Sequence, residues 1–504
     1  MKNYIDIVKH IIDNYNFTTY RRVFTGPDYH NDSRVYAGPT TYFWKLFTYD
    51  FYKIQGTDET FHDKEMVNFL KNYEPCIEIR VEDAIENEKK TILQMDLHPC
   101  PDSDRPFEDI KKYFFDKLFK NKKILNEMQN GDLVLFLYQG WEAENFDTVY
   151  KKPNDKYKTY YKMFEGVIQE YNLPISSIVI ANSNLLGDTS ENKSEVKVIY
   201  DNIMEQNSFN SIRDVYKASE AFDINYSIDE YLENIKSADK TFTRLNRTPH
   251  PSRDMMLYYL HRLGYENDTI IDHKDFNPEN IFMDGAFFNS AKKLCQDVPK
   301  FRHMEKYFDI DDDIKKYLMT KATIKLGNDF PTQRDIDIVN KIESNLPFIA
   351  SQYEKKGLHD IEQIHPNSPI PVDIYKNSII SWVSVSLPDQ KDKVFINQST
   401  FNPILHFHPL IFNGHQHTIK YFKECGFESY DWLFDEHCDK LTREDNWRRM
   451  VYNITDIQKV MSMGRDNLVD VITQNKDSLE RNRNLLIQCK SIERIITKFY
   501  ETTL

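Results

Sequence analysis

The stretch from Ser378 to Glu436 reads SIISWVSVSLPDQKDKVFINQSTFNPILHFHPLIFNGHQHTIKYFKECGFESYDWLFDE. It contains an apolar strand, a polar loop, a short helix, a second apolar strand and a helix that follows a glycine. Strands that lead into helices in this way are typical of an open parallel sheet, whose carboxyl edge forms the crevice where nucleotides and phosphates bind. The stretch therefore predicts an α/β fold with a ligand site at that edge.

Apolar runs of the same kind recur along the chain. In the first half they are CIEIRV from Cys76, TILQMD from Thr91, DLVLFLYQG from Asp132, SIVIAN from Ser177 and VKVIYD from Val196. In the second half they are KTFTRLN from Lys240, DTIID from Asp268 and the two strands near Ser378 and His408. Continuous apolar strands that alternate with helical segments indicate parallel sheets covered on both faces. Two Rossmann-like domains are the predicted architecture.

The length of 504 residues exceeds what one ordinary core supports and favours two domains. We place the N-terminal domain at residues 1–234 and the C-terminal domain at 235–450, with a helical insertion at about 276–366. Residues 451–504 form a C-terminal helical segment, in which Leu468, Val471, Ile472, Leu479, Leu486 and Cys489 recur at spacings that predict one apolar stripe.

Composition excludes several classes of protein. A formal charge of −14 argues against a surface that coats nucleic acid, because phosphate binding depends on Lys and Arg. The 6 cysteines lie far apart and are expected to be reduced thiols. No apolar run is long enough to span a bilayer, so we expect a cytoplasmic protein without a membrane span, or one in the host cytoplasm if the chain is viral.

Common catalytic motifs are absent from the sequence: it contains no GxGxxG, GxxxxGK[ST], HExxH or GxSxG. The acidic run DIDDDIKKY from Asp309 falls in the predicted insertion and is typical of a helix start. We therefore expect neither a metal site nor a tightly bound cofactor. Oxidoreductase, P-loop kinase, zinc protease and serine hydrolase functions lose support.

A basic loop follows the predicted strand that ends at Asn246. It carries Arg247, His250 and Arg253 and leads into a helix that Ser252 can cap and Gly264 can end. Helix N-termini favour anions, and guanidinium groups bind phosphate oxygens in pairs. The loop is either a phosphate site or an ordinary basic surface loop.

Four histidines, His406, His408, His415 and His417, form two HxH pairs. Histidines two apart on a strand share one face, which suits a metal site. The second pair follows Gly414 at a turn from strand to helix, where imidazoles can contact a diphosphate instead. Structural histidines are the third interpretation.

The segment FINQSTFNPILHFHPLIFNG resembles the donor-binding domain of two-Rossmann (GT-B) glycosyltransferases, in particular the phage and fucosyltransferase-like members. In those enzymes a helix begins with F-I-T-E-K-T-F-x-P-I before a strand, a glycine and another helix. The matching residues are Phe395, Ile396, Thr400, Phe401, Pro403 and Ile404. The basic loop and the segment NKDSLERNRNLL from Asn475 also resemble that family.

The resemblance implies a glycosyltransferase whose donor substrate is a nucleotide-sugar. It implies donor-binding roles for Asn246, Arg247, His250, Arg253, Gln398, Ser399, Thr400, Gly414 and His415. Two positions depart from the family pattern, because Gln398 stands where the family has a ribose-binding Glu and Ser399 where it has a Lys beside the diphosphate. Loss of these charges motivates an alternative function, a catalytically inactive binding or virion-associated protein that keeps the scaffold.

The acceptor side is predicted at YQGWEAENFD, which starts at Tyr138. An inverting sugar transfer needs a general base that takes the proton of the acceptor hydroxyl. Glu142, after a predicted strand, is the candidate, with Asp96 and His98 as competitors. Arg247 is the second catalytic residue. We predict acceptor contacts at Gln139, Trp141, Asp96 and His98. The acceptor is a glycan, or a hydroxymethylated DNA base if the run YKKPNDKYKTYYK from Tyr150 forms a groove whose tyrosines stack on bases. The alternative for this run is an exposed linker.

Overall fold

The computed structural model describes residues 4–19, 85, 89–96, 107–139, 146, 156–187, 194–202, 226–245, 251–273, 276, 333–346, 372–384, 393–441, 446–488 and 490–503. The chain forms two compact units. The first comprises residues 1–210, 392–395 and 488–504, and the second comprises residues 211–391 and 396–487. Each unit contains its own parallel sheet, which confirms the α/β class.

The elements of the first unit up to residue 202 are α1 (Tyr4–Asn14), β1 (Tyr15–Thr19), β2 (Lys90–Asp96), α2 (Phe107–Ile110), a π-helical turn (Lys111–Phe115), α3 (Asp116–Leu118), α4 (Lys122–Asn130), β3 (Leu133–Gln139), α5 (Tyr160–Glu170), a 3-10 turn (Ile175–Ser177), β4 (Ile178–Asn182) and β5 (Lys197–Tyr200). The strands lie in sequence order, β1-β2-β3-β4-β5. The predicted strands from Thr91 to Val196 are confirmed as β2 to β5. The pattern does not predict β1, because YNFTT is not a continuous apolar run, and the run from Cys76 lies outside the described residues.

Both faces of this sheet are buried, as its apolar strands require. One face carries Leu93, Leu135 and Ile178, which are in register on β2, β3 and β4. These side chains join a core that the helices complete with Phe115, Met128, Phe164 and Val167. The opposite face carries Ile92, Val134 and Phe136, which are also buried.

The elements of the second unit are α6 (Ile228–Ser237), β6 (Phe242–Leu245), α7 (Pro251–Leu263), a 3-10 turn (Glu266–Asp268), β7 (Thr269–Asp272), α8 (Gln333–Asn345), α9 (Val372–Lys376), β8 (Ile380–Ser384), α10 (Gln398–Leu405), β9 (Leu410–Asn413), α11 (Thr418–Glu424), a second 3-10 turn (Glu436–Lys440), α12 (Asn446–Met463), α13 (Arg465–Gln474) and α14 (Lys476–Gln488). The strand order is β7-β6-β8-β9. All the strands predicted in this half are confirmed. Within the predicted insertion the described residues include one helix, α8.

The predicted helix after the basic loop is α7. Its end at Gly264 is confirmed, because this glycine has a φ of +79° in the left-handed region that ends helices. Its start is two residues earlier than predicted, because a cap at Ser252 would make Arg253 the first helical residue. Pro251 is the first helical residue, so Ser252 lies within the first turn and does not cap the helix.

The last helix, α15 (Lys490–Thr503), belongs to the first unit. Its Phe499 ring packs edge-on against Phe136 of β3, with the ring centroids 5.2 Å apart. The buried carboxylate of Asp201, which follows β5, accepts from Arg494 Nη2 at 2.8 Å and from Lys498 Nζ at 3.0 Å. Helix α15 therefore covers the sheet face opposite α4 and α5.

The single apolar stripe predicted after residue 451 is wrong in one respect. Leu468 and Ile472 are buried on α13, while Leu479 and Leu486 are buried on α14. The two helices are separated at Asn475, whose φ of −111° leaves the helical region. None of the helices in the described part of the chain is long and apolar enough to cross a membrane.

Candidate functional site

The strand order in the sheet of the second unit reverses between β6 and β8. The chain passes from β6 to β7 on one side, and β8 then pairs with the other side of β6. All pairs are parallel, so the carboxyl ends of the four strands lie at one edge. Ligands of open α/β sheets bind outside this edge at the point of reversal. Helix α7 follows β6 and α10 follows β8, so both begin on this side of the sheet.

The N-terminus of α10 is bordered by uncharged polar side chains. Asn397 precedes the helix in an extended conformation, and its side chain makes no capping bond to the helix backbone. Its Oδ1 instead accepts from Ser399 Oγ at 2.5 Å and from Thr400 Oγ1 at 3.4 Å. The Ser399 hydroxyl thus points back to Asn397. Gln398 is the first residue of α10, and its side chain lies outside the described part.

A second polar pair lies at the ends of β8 and β9. Asn413 Nδ2 donates to Ser384 Oγ at 3.3 Å, and both residues are fully buried. No hydrogen bond to Asn413 Oδ1 is found within the described part of the chain. Asn397 Nδ2 reaches the Ser384 carbonyl at 3.5 Å, which connects this pair with the start of α10. The described polar groups at this edge of β8 and β9 are therefore neutral.

The carboxylate of Asp439, from a later segment of the chain, caps the N-terminus of helix α11. Asp439 Oδ1 accepts from the Ile419 backbone N–H at 2.8 Å, and Oδ2 accepts from that of Lys420 at 3.0 Å. Burial raises the pKa of Asp439, and these two bonds oppose the rise. The predicted residue His415 is buried beside this turn, and His417 adopts a left-handed φ of 67°. The N–H groups of Ile419 and Lys420 at the start of α11 thus bind the protein's own carboxylate.

Gly414 is required at the turn between β9 and α11. A Cβ at this position would lie 2.5 Å from Thr418 Oγ1 and 2.9 Å from Thr418 Cβ. Thr418 is buried and its hydroxyl donates to the His415 carbonyl at 2.8 Å, so it has little room to move. We expect Gly414→Ala to lower the free energy of unfolding by about 2 kcal/mol, measured by denaturant titration.

The control for Gly414→Ala is a double-mutant cycle with Thr418→Gly. Removal of the Thr418 side chain relieves the overlap, so the alanine should cost much less in that background. An equal cost in both backgrounds would show that the close approach is not the cause.

A buried charged network joins β6, β7 and α7. Asp254 Oδ1 lies 2.7 Å from His273 Nε2, and His273 Nδ1 lies 3.5 Å from both Arg244 Nη1 and Nη2. Arg244 Nη2 also donates to the backbone carbonyl of Arg253 in the first turn of α7. All three side chains are fully buried. The network thus fixes the start of α7 to the carboxyl ends of β6 and β7.

Burial weakens the preference of the two arginines for their charged form. It lowers the pKa of Arg244 to about 9, and the nearby Asp254 carboxylate opposes the shift. It lowers the pKa of Arg253 to about 10, again opposed by Asp254. Both guanidinium groups therefore remain cationic at neutral pH and lie next to the N-terminus of α7.

The first histidine pair is structural. His408 Nε2 donates to the Tyr375 carbonyl at 2.9 Å and its Nδ1 accepts from Ser381 Oγ at 3.0 Å, which fits a neutral ring. His406 stacks on Tyr375 with ring centroids 4.2 Å apart and bonds Tyr226 Oη at 3.0 Å. Burial lowers the pKa of His408 to about 4 and holds that of His406 well below its usual value. These rings pack the amino end of β9.

A metal centre finds no support in the residues that the structure describes. Among them, no three His, Cys, Asp or Glu side chains lie close enough together to hold an ion. Of the four predicted histidines, His406 and His408 precede β9, whereas His415 and His417 follow it. The two pairs therefore lie at opposite ends of this strand.

The predicted acceptor residues lie at the carboxyl edge of the first sheet. Asp96 ends β2 and pairs in register with Tyr138 of β3, and Gln139 is the last residue of β3. The strand ends that carry Asp96 and Gln139 are therefore neighbours, although their side chains lie outside the described part. His98, Trp141 and Glu142 also fall outside it, as do Asn246, Arg247 and His250 of the basic loop.

The tyrosines of the predicted nucleic-acid groove are core residues. Tyr157, Tyr160 and Tyr161 are buried, and Tyr160 packs edge-on against Phe107 at 4.8 Å. Thr159 caps α5 by accepting from the Lys162 backbone N–H. The expectation that these rings stack on bases is wrong, because at helical spacing they face the core. The described part of this run is neither a stacking platform nor an exposed linker.

Several polar residues of this region are not predicted from the sequence: Arg244, Asp254, His273, Asn413 and Asp439. One signal was available, since Arg244 interrupts an apolar strand and an arginine inside a buried strand needs a partner. The others come from separate segments that only the fold brings together. Asp439, for example, lies twenty residues after Ile419, from whose backbone N–H it accepts a hydrogen bond.

No protein-family model matches this sequence, and a search of curated proteins found no similar one.

Proposed function

We propose that the chain is a glycosyltransferase of the two-Rossmann (GT-B) class, which moves a sugar from a nucleotide-sugar to a hydroxyl group of an acceptor. The observation that carries this proposal is the reversal of strand order in the second sheet between β6 and β8. Helix α7 starts beside this point, with the buried Arg244 and the half-buried Arg253 at its start. Such a point of reversal is where open α/β sheets bind nucleotides. A helix N-terminus with guanidinium groups suits a diphosphate.

On this proposal the donor diphosphate lies at the start of α7. Arg253, on the first turn, and Arg247, on the preceding loop, stabilise the charge that develops on the leaving diphosphate. Asn246 and His250 complete the loop. The neutral groups at the start of α10, Gln398, Ser399 and Thr400, contact hydroxyl groups of the ribose or the sugar, and Gly414 and His415 border them.

The acceptor approaches the carboxyl edge of the first sheet. Asp96 and Gln139 end neighbouring strands there, and His98, Trp141 and Glu142 follow those strands in sequence. Glu142 acts as the general base in an inverting transfer. A glycan is favoured over a DNA base, because the net charge is −14 and the tyrosines of the basic run are buried. A cytoplasmic enzyme without a resident cofactor fits this reaction.

The donor site is tested first by a thermal-shift screen. Purified protein is heated with UDP, GDP or CDP and with their common sugar conjugates, with and without magnesium or manganese. A ligand that binds only the folded protein raises Tm according to its saturation. At a concentration of one hundred times Kd, the ligand adds about 2.7 kcal/mol to the free energy of unfolding. One nucleotide should shift Tm. The absence of any shift would overturn the donor site.

We expect Arg253→Ala to weaken binding of the nucleotide found in that screen by about tenfold to a hundredfold. Each hydrogen bond to a charged phosphate contributes about 1.5–3 kcal/mol, and the alanine removes the guanidinium while the backbone carbonyl that Arg244 contacts remains. Isothermal titration calorimetry measures the change.

Arg481→Ala is the matched control for this substitution. Arg481 is an exposed arginine of α14 that pairs with Glu428 at 2.5 Å. Its loss changes the net charge equally and should leave the nucleotide affinity unchanged. Equal affinities for the wild type and Arg253→Ala would remove Arg253 from the donor site.

A second candidate function is binding without catalysis. It is favoured by the Ser399 hydroxyl, which is used within the protein, and by Asp439, which fills the N-terminus of α11. Both observations reduce the number of groups free to hold a diphosphate. Nucleotide binding without transfer or hydrolysis of any nucleotide-sugar, across a panel of glycan acceptors, would support this candidate.

A further inference from the structure

The network of Arg244, His273 and Asp254 has a defined arrangement of protons. His273 Nδ1 faces the Arg244 guanidinium, which can only donate, so Nδ1 is an acceptor. The ring proton therefore resides on Nε2 and is donated to Asp254 Oδ1 at 2.7 Å. A neutral imidazole thus bridges one buried cation and one buried anion.

Asp254 occupies an unusual place for an anion-binding helix. It is the fourth residue of α7 and lies in the first turn, where the helix dipole favours negative charge. A carboxylate at this point competes with any external anion for the same positive field. The positive charge of Arg244, whose Nη2 contacts the Arg253 carbonyl in that turn, offsets the negative charge of Asp254.

Arg244 also has an unused donor in the described part of the chain. Its Nε is completely buried, and no acceptor for it is found among the described residues. A buried N–H of a charged group is rarely left without a partner. This donor lies in the side chain that contacts the first turn of α7 and is a second sign that the region suits an anion.

We propose that Asp254 is a built-in counter-charge that weakens diphosphate binding at the start of α7, and that Arg244 limits this weakening. The inference rests on the proposed donor site. It adds that the affinity of this site for a diphosphate depends on the balance between the buried charges of Asp254 and Arg244. Because the nucleoside diphosphate product carries one more negative charge than the donor, a weakened positive field favours release of the product.

Three variants separate this role from a structural one. Asp254→Asn keeps an acceptor for His273 Nε2 but removes the negative charge, and it should tighten binding by about tenfold. Arg244→Met removes the positive charge and should weaken binding by a similar factor. The double variant restores the balance of charge and should bind as the wild type does. Both single variants should lower Tm, because each leaves a buried charge without its partner.

The measurement is isothermal titration of the full chain with inorganic pyrophosphate, alongside Tm for each variant. The expected result is opposite changes in affinity for Asp254→Asn and Arg244→Met while both lose stability. A structural role predicts weaker binding in both. If one single variant fails to fold, the other single variant is compared with the double variant. The difference gives the direction in which the missing substitution changes the affinity for pyrophosphate.

The outcomes distinguish the two levels of the proposal. If the wild type binds pyrophosphate and Asp254→Asn binds it equally or more weakly, the counter-charge is overturned and the donor site stands. No binding by the wild type or by Asp254→Asn would overturn the donor site, and the counter-charge with it.

Discussion

Removal of α15 is expected to unfold the first unit. A chain that ends at Cys489 loses Ile495, Ile496 and Phe499, which are all buried in the complete protein. Burial of three such side chains contributes about 6 kcal/mol, a large part of the 5–15 kcal/mol that holds a typical domain folded. Asp201 would also lose both cations and remain a buried, uncompensated carboxylate. Hydrogen exchange in peptides that cover β3 and β4 measures the effect.

The control for the truncation is the full chain with Glu501→Ala, which changes an exposed residue of the same helix. Its β3 and β4 amides should stay protected, and a Phe499→Ala chain should lie between the two, about 4 kcal/mol less stable than the wild type. Full protection of β3 and β4 in the truncated chain would show that α15 is dispensable for this sheet.

Acidification is expected to destabilise the second unit between about pH 6.5 and pH 4. Burial lowers the pKa of His261 and of His408 to about 4, and it lowers that of His406 well below the ordinary value. Each ring is neutral in the folded protein but becomes protonated in the unfolded chain below about pH 6.5. The unfolded state then binds more protons, so stability is complete above pH 6.5 and is lost as the pH falls.

The size of this loss follows from the number of histidines. Each contributes a slope of up to about 1.4 kcal/mol per pH unit, so the three together give about 4 kcal/mol per unit. Urea unfolding at pH 7, 6 and 5, followed by the exchange of β8 and β9 amides, measures the slope. His406→Phe keeps the stack on Tyr375 and should reduce the slope by about a third.

His437→Gln is the matched control for the acid effect, because His437 is an exposed residue of the same unit. It should leave the slope as it is in the wild type. A wild-type stability that is constant between pH 7 and pH 5 would contradict the assignment of these rings as buried and neutral.

The strands were predictable because their signal is local. A continuous apolar run such as LVLFLYQ is typical of a strand covered on both faces, and the structure places it at the centre of the first sheet. β1 gave no such signal, because a strand at the edge of a sheet needs fewer apolar residues and is specified by its neighbour β2. The end of α7 was equally local, since Gly264 adopts a φ that disfavours other residues.

The histidines show where local patterns fail. The HxH spacing is the same in both pairs, yet one pair lies before β9 and the other after it. His408 is neutral because Ser381 and Tyr375, from other segments, supply its hydrogen-bond partners. The tyrosines of the basic run were misassigned for a related reason, since a helix buries whichever face meets the core.

The sequence by itself determined the α/β class, the positions of eight strands and the helical character of the C-terminal segment. These follow from the periodicity and length of apolar runs, which act over neighbouring residues. Only the tertiary structure decided the order of the strands, the reversal between β6 and β8, and the return of α15 to the first unit. It alone brought Asp254, His273 and Arg244 together, because burial removes charged groups from water and forces them to find partners that lie far apart in the chain.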